Sequence, residues 1–227
     1  MRARRIITVA LSLIGFAVII LAATPPVTEN IHQTQLPASS TPSIGSAADV
    51  LKKLTVKGRA SKTGYARSQY GNGWSTTSGC DTRNIILHRD LQNPIVDEHC
   101  TVVSGILNDP YTGTVIVFTK GSSDVQIDHV VALSDAWQTG AAGLERDLRI
   151  QLANDPMELI AVQGAANQQK SDGDAATWLP SNKSFRCQYV ARQIAVKQKY
   201  TLWVIPTEKQ AMSDVLSSCP GQELPSA

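Results

Sequence analysis

The strongest constraint on this chain is the placement of four cysteines, Cys80, Cys100, Cys187 and Cys219, behind an export leader. Residues 1–5 carry Arg2, Arg4 and Arg5. Residues 6–23 follow as an apolar run of 18, broken only by Thr8, Ser12 and Gly15. As a helix at 1.5 Å per residue this run spans about 27 Å, close to the ~30 Å of a bilayer's hydrocarbon. Residues 1–24 therefore read as a signal peptide or an N-terminal anchor, with Leu21-Ala22-Ala23 placing a large residue at −3 of a cut after Ala23. No cysteine precedes Cys80, so a lipid anchor on cysteine is excluded. The remainder is expected outside the cell, or held at the outer face of the cytoplasmic membrane through the leader alone. In an oxidising compartment an even number of cysteines pairs as disulfides. No C-x-x-C-like spacing supports zinc. Of the three pairings, Cys80–Cys100 and Cys187–Cys219 are expected, because each closes a short loop within its own half.

Residues 25–48 are small, polar and Pro-containing and read as a flexible linker. One domain is expected over 49–219, with a tail at 220–227. With 42% hydrophobic and 18% charged residues the chain is not disordered as a whole. Its net charge of +2 belongs to the leader. Three of the 21 basic residues and one of the 19 acids precede residue 31, which leaves 18 of each. A strongly basic nucleic-acid binder is thereby excluded, although 52–67 holds six basic residues and no acid. That stretch is either a solvated helix and loop or an arm that contacts phosphate.

Val50, Leu51 and Leu54 predict a short helix over 49–56. The β-branched runs 101–106 and 114–119, separated by Asn108-Asp109-Pro110-Tyr111-Thr112-Gly113, predict a β-hairpin. A further strand over 125–130 precedes two helical stretches, 131–141 and 144–153. A strand over 158–162 and a short helix over 165–171 follow. The C-terminal helices are expected over 184–200 and from Pro206, the latter capped by Thr207 with Gln210 at the capping-box position.

Residues 126–180 carry the chemistry. Asp128-His129 ends a strand, and Asn167 and Lys170 share the short helix. The oxygens of Asp128 and Asn167 suit a hard divalent cation that keeps several waters. His129 projects to the opposite side of the strand from Asp128 and can deprotonate a water. No Gly-rich phosphate loop, H-E-x-x-H or G-x-S-x-G competes with this constellation. His88 and His99 read as surface residues, Trp137 and Trp178 as core. Arg83 and Arg89 are open to phosphate contact or to ion pairs with Asp81 and Asp90.

The Asp-His strand, the apolar second strand and Asn167-x-x-Lys170-Ser171-Asp172 resemble the ββα-metal finger of HNH endonucleases. More narrowly, the chain resembles exported HNH proteins of the GmrSD C-terminal-like group over about residues 63–219. Gly64-Tyr65-Ala66-Arg67, Gly79-Cys80-Asp81-Thr82-Arg83-Asn84, Asp109-Pro110-Tyr111-Thr112-Gly113, Ile127-Asp128-His129-Val130-Val131 and Trp178-Leu179-Pro180 carry the likeness. It implies an α+β domain, stabilised by disulfides, in which the finger sits among a β-hairpin and C-terminal helices. It implies a metal-dependent endonuclease acting on nucleic acid, DNA more than RNA. His129 would be the general base, Asp128 and Asn167 the ligands of Mg²⁺ (or Mn²⁺), and Lys170 would lie beside the phosphate. Arg67 and Arg83 are further candidates for phosphate contact. Where such fingers carry a bracing Asn, this chain has Glu158. Glu158 could orient the imidazole through its Nδ1–H, add a ligand, or mark a weakened enzyme; Asn154 is the brace under another register. The competing expectation is a non-catalytic exported module that binds nucleic acid or the envelope on the same scaffold.

Overall fold

A computed structural model describes residues 45–225. The leader at 1–24 and most of the linker lie outside the described residues. The rest is α+β with small antiparallel sheets and helices, as expected. α1 (Ala47–Lys53) opens the domain, capped by the Ser46 hydroxyl, which accepts from the Asp49 amide. The first helix thus starts slightly before position 49, because Ser46 supplies the acceptor that its first turn needs. A two-stranded ribbon, β1 (Thr76–Thr77) and β2 (Cys80–Asp81), leads into α2 (Thr82–Asp90). The α2 N-cap is Asp81, whose carboxylate accepts from the Asn84 amide.

β3 (Gln92–Val96), β4 (Val102–Asn108) and β5 (Val115–Thr119) form an antiparallel sheet in that order. β4 and β5 are the expected hairpin. β3 had no clear sequence signal, because Pro94 interrupts it; the sheet tolerates that proline on an edge strand with irregular register. β6 (Val125–His129) pairs with β7 (Leu159–Gln163), and between them run α3 (Leu133–Gln138) and α4 (Arg146–Ala153). α5 (Gly164–Lys170) follows β7 and packs on both strands, completing a ββα unit.

The β6–β7 pair separates two apolar clusters. Ile127, Leu159 and Ala161 join Ile86, Leu87, Leu107 and Phe118 under the three-stranded sheet. Ile160 and Val162 face the larger core, built on α6 (Arg186–Lys199) and α7 (Pro206–Ser217). Alternation along β7 thus buries both faces, which fixes the register. The α7 cap differs from the expected one. Ile205 is the N-cap, Pro206 takes the first helical position, and the Glu208 carboxylate accepts from the Ile205 amide. Proline fits there because its missing N–H would have no intrahelical acceptor. Both expected disulfides are present, Cys80–Cys100 and Cys187–Cys219. Among the described residues no helix is long and apolar enough to cross a membrane.

Candidate functional site

β6 ends on Asp128-His129, and period-two alternation sends the two side chains to opposite faces. The His129 ring is buried, and its Nε2 lies 3.0 Å from the carbonyl oxygen of Ala153 at the end of α4. A carbonyl can only accept, so Nε2 carries the proton and Nδ1 keeps its lone pair. Burial depresses the imidazole pKa to about 3, so the ring is the neutral base at physiological pH. The Trp74 indole lies nearly parallel to it, 5.7 Å away between centroids and 9° between planes.

Asp128 is buried and carries two donors. Lys170 Nζ donates to Oδ1 at 3.0 Å, and the Tyr111 hydroxyl donates to Oδ2. Lys170 also donates to the His129 carbonyl at 2.8 Å, which ties α5 to the end of β6. Burial pushes the Asp128 carboxyl up, against the lowering effect of Lys170 and Tyr111. Lys170, expected beside the phosphate, is only 2% exposed and spends its charge inside the protein. Asn167 Nδ2 donates to Gln126 Oε1 at 2.9 Å, which leaves its own oxygen free of protein donors among the described residues.

Glu158 is fully buried. Its Oε2 accepts from the Val131 amide at 3.2 Å and its carbonyl from the Val130 amide at 2.9 Å. Oε1 has no partner among the described residues, and burial holds the carboxyl well above the ordinary glutamate value. Glu158 therefore braces the turn after His129, while Ala153 orients the imidazole through Nε2. Asn154 clamps a different join: it accepts from the Ser75 amide at 2.8 Å and donates to the Ile150 carbonyl at 2.9 Å.

Asp128, His129, Asn167, Arg67, Arg83 and Gln126 all line one cavity of about 560 Å³. It gathers the expected base, both expected ligands and both candidate phosphate contacts; Glu158 and Lys170 stand behind its wall. Arg67 is exposed and makes no ion pair or side-chain hydrogen bond among the described residues. Arg83 reaches only the Val125 carbonyl, at 3.4 Å, rather than Asp81. Arg89 instead pairs with Asp90 at 2.6 Å. The rest of the basic stretch is largely fixed. Arg59 is held by Asp135 and Asp174, and Lys62 pairs with Asp172 at the cavity rim.

No group of three or more His, Cys, Asp and Glu side chains converges among the described residues. One carboxylate and one carboxamide oxygen do face the same cavity, and each carboxylate oxygen keeps a second lone pair. Such a set fits a hard ion that retains most of its water, held loosely because Lys170 already compensates the Asp128 charge.

Residues 82–215 match the family of GmrSD restriction endonucleases, C-terminal domain. The chain belongs to that family. An uncharacterized secreted protein of Arthroderma benhamiae is 40% identical over 181 residues, 78% of this chain and 87% of that protein. No solved structure matches the chain. The part matching the GmrSD C-terminal domain contains the whole ββα unit, while Arg67 and Trp74 precede it. Sequence reasoning gave Tyr111 no role, although its Asp109-Pro110-Tyr111-Thr112-Gly113 motif was visible. Trp74 carries only a weak signal of its own, an aromatic directly after Gly71-Asn72-Gly73. The Ala153 carbonyl has no sequence signal, since every residue carries one.

Proposed function

We propose that the chain is an exported, metal-dependent endonuclease that hydrolyses phosphodiester bonds of nucleic acid. One observation carries this: a neutral imidazole, with Nε2 tied to the Ala153 carbonyl and Nδ1 available, shares a cavity with Asp128, Asn167 and two arginines. Arg67 and Arg83 hold the phosphate. His129 Nδ1 takes a proton from water, whose oxygen bonds to phosphorus as the bond to the leaving 3′-oxygen breaks. The anionic phosphate opposite the ring favours the imidazolium and lifts its pKa from the depressed value as the proton arrives. Asp128 and Asn167 would hold a divalent ion, Mg²⁺ in the first instance, which when bound would supply charge neutralisation for the phosphoryl transfer. Tyr111 and Lys170 fix the Asp128 carboxylate, and Glu158 fixes the turn that follows His129. Export is supported by the two disulfides and by the secreted relative. DNA is the first substrate to test.

The full chain is incubated with plasmid, single-stranded DNA and RNA, with Mg²⁺, Mn²⁺ or EDTA. The expected result is cleavage that EDTA abolishes and that His129→Ala lowers by about 10²- to 10⁴-fold. Absence of metal-dependent cleavage, or cleavage that survives His129→Ala, would overturn the proposal and favour a binding module on the same scaffold.

A further inference from the structure

A second cavity, of about 410 Å³, adjoins the first and shares Arg67, His129 and Leu133 with it. Its remaining wall is the segment 68–74 and Ala153. The catalytic scheme uses none of that segment.

The wall is built rather than incidental. α4 holds it at both ends. Arg149 donates to the Gln69 carbonyl at 3.1 Å, and Asn154 accepts from Ser75 at 2.8 Å. The Tyr70 hydroxyl donates to the Leu133 carbonyl at 2.8 Å. Gly71 and Gly73 have φ of +102° and +117°, a backbone region that side-chain-bearing residues rarely enter, so the rim has its shape because both are glycine. At the rim the exposed Asn72 carboxamide has no partner among the described residues. Deeper in, the Trp74 indole is half-buried beside His129, and its N–H likewise has no partner among the described residues.

An aromatic plane, a free carboxamide and a free guanidinium beside the cleavage site are the groups that recognise an unpaired nucleotide: stacking for the base, an edge contact, and a charge for its phosphate. A base paired within a duplex cannot enter such a cavity without leaving its stack. We propose that this second cavity is a nucleobase subsite, with Trp74 as the stacking residue, so that the protein acts on single-stranded or locally unpaired nucleic acid. This rests on the nuclease assignment for its position beside the scissile phosphate. Trp74 also packs against the apolar cluster under the three-stranded sheet, and a residue that only packs there would affect intact and abasic substrates alike.

The experiment uses the full chain with a thymidine oligonucleotide, the same oligonucleotide carrying one abasic residue at the cleaved linkage, and a matched duplex. The expected result is faster cleavage of the single strand than of the duplex. Trp74→Ala lowers kcat/KM on the intact single strand by about 5- to 150-fold, the range for one base–aromatic stack. Trp74→Ala leaves the rate at the abasic linkage within about twofold, and Trp74→Phe restores most of the loss. Asn72→Ala, at an exposed position, changes the ratio of rates on thymidine and adenosine homopolymers by about fivefold, the effect of one hydrogen bond. An equal loss on intact and abasic substrates, or equal cleavage of duplex and single strand, overturns the subsite. Binding in EDTA separates this from the nuclease assignment. Oligonucleotide binding weakened in Trp74→Ala and kept in Trp74→Phe, with no cleavage under any metal, sinks the nuclease and leaves the subsite standing. Binding indifferent to Trp74 overturns the subsite whether or not the protein cuts.

Discussion

At the scale of single residues, the site is a set of buried charges whose compensation decides behaviour. Asp128 is neutralised by Lys170, both nearly inaccessible to solvent. Removing one partner of such a pair leaves a charge without compensation, so Lys170→Met is expected to cost about 3–5 kcal/mol. Added Mg²⁺ should recover part of the lost melting temperature in Lys170→Met and give a smaller shift in the wild type, where the ammonium already occupies the carboxylate. Thermal denaturation with and without Mg²⁺ checks both; an identical shift in the two proteins would remove Asp128 from the ion site. Glu158 has no ion pair among the described residues, and burial raises its pKa. The folded state therefore binds its proton more tightly than the unfolded state. The Glu158 contribution to stability is full below the ordinary value of 4.5 and declines as pH rises from there toward the raised folded value. Glu158→Gln keeps an acceptor for the Val131 amide and cannot ionise. Its stability should be flatter with pH above 4.5 and no lower at neutral pH, whereas Glu158→Ala should lose about 1–3 kcal/mol. Chemical denaturation across the pH range separates the two variants.

At the scale of elements, the ββα unit positions the chemistry and its neighbours restrain it. α5 reaches back to β6 through Lys170, and α4 reaches His129 through its last carbonyl and Ser75 through Asn154. The strands of the unit, the hairpin and the helix after β7 were legible because period-two and period-3.6 patterns are local. The α7 cap was misplaced by two residues, because Thr207 is a good N-cap by type while the local backbone gives that position to Ile205. β3 went unseen because its pairing with β4 comes from another part of the chain. The Cys187–Cys219 bridge links α6 to the end of α7 across 32 residues. Its removal by Cys187→Ser with Cys219→Ser is expected to lower stability by about 3–4 kcal/mol. Urea unfolding should show a lower midpoint with a somewhat steeper slope, because the unfolded chain without the bridge exposes more surface.

At the scale of the whole molecule, the chain from residue 31 onward is neutral, and two arginines without an ion pair, Arg67 and Arg83, line one cavity. Arg59 is consumed by Asp135 and Asp174, and at the rim of the cavity Lys62 pairs with Asp172, a pair that a phosphate would have to displace. About three phosphate contacts on a single strand correspond to a slope near −2 in log affinity against log salt. Binding titrations between low and moderate salt measure this slope; a value steeper than about −4 would reveal an extended interface outside the cavity.

The sequence by itself determined the disulfide pairing, the α+β class, the ββα unit and the identity of its polar residues. These follow from composition, short periodicities and cysteine count, all properties of neighbours along the chain. Only the tertiary structure decided how those residues are wired. It placed Lys170 against Asp128 rather than in the open, gave the imidazole to Ala153 rather than to Glu158, and set Trp74 beside His129. The reason is that burial and hydrogen-bond partners are assigned by elements distant in sequence, and those assignments fix which charges are spent inside and which face a substrate.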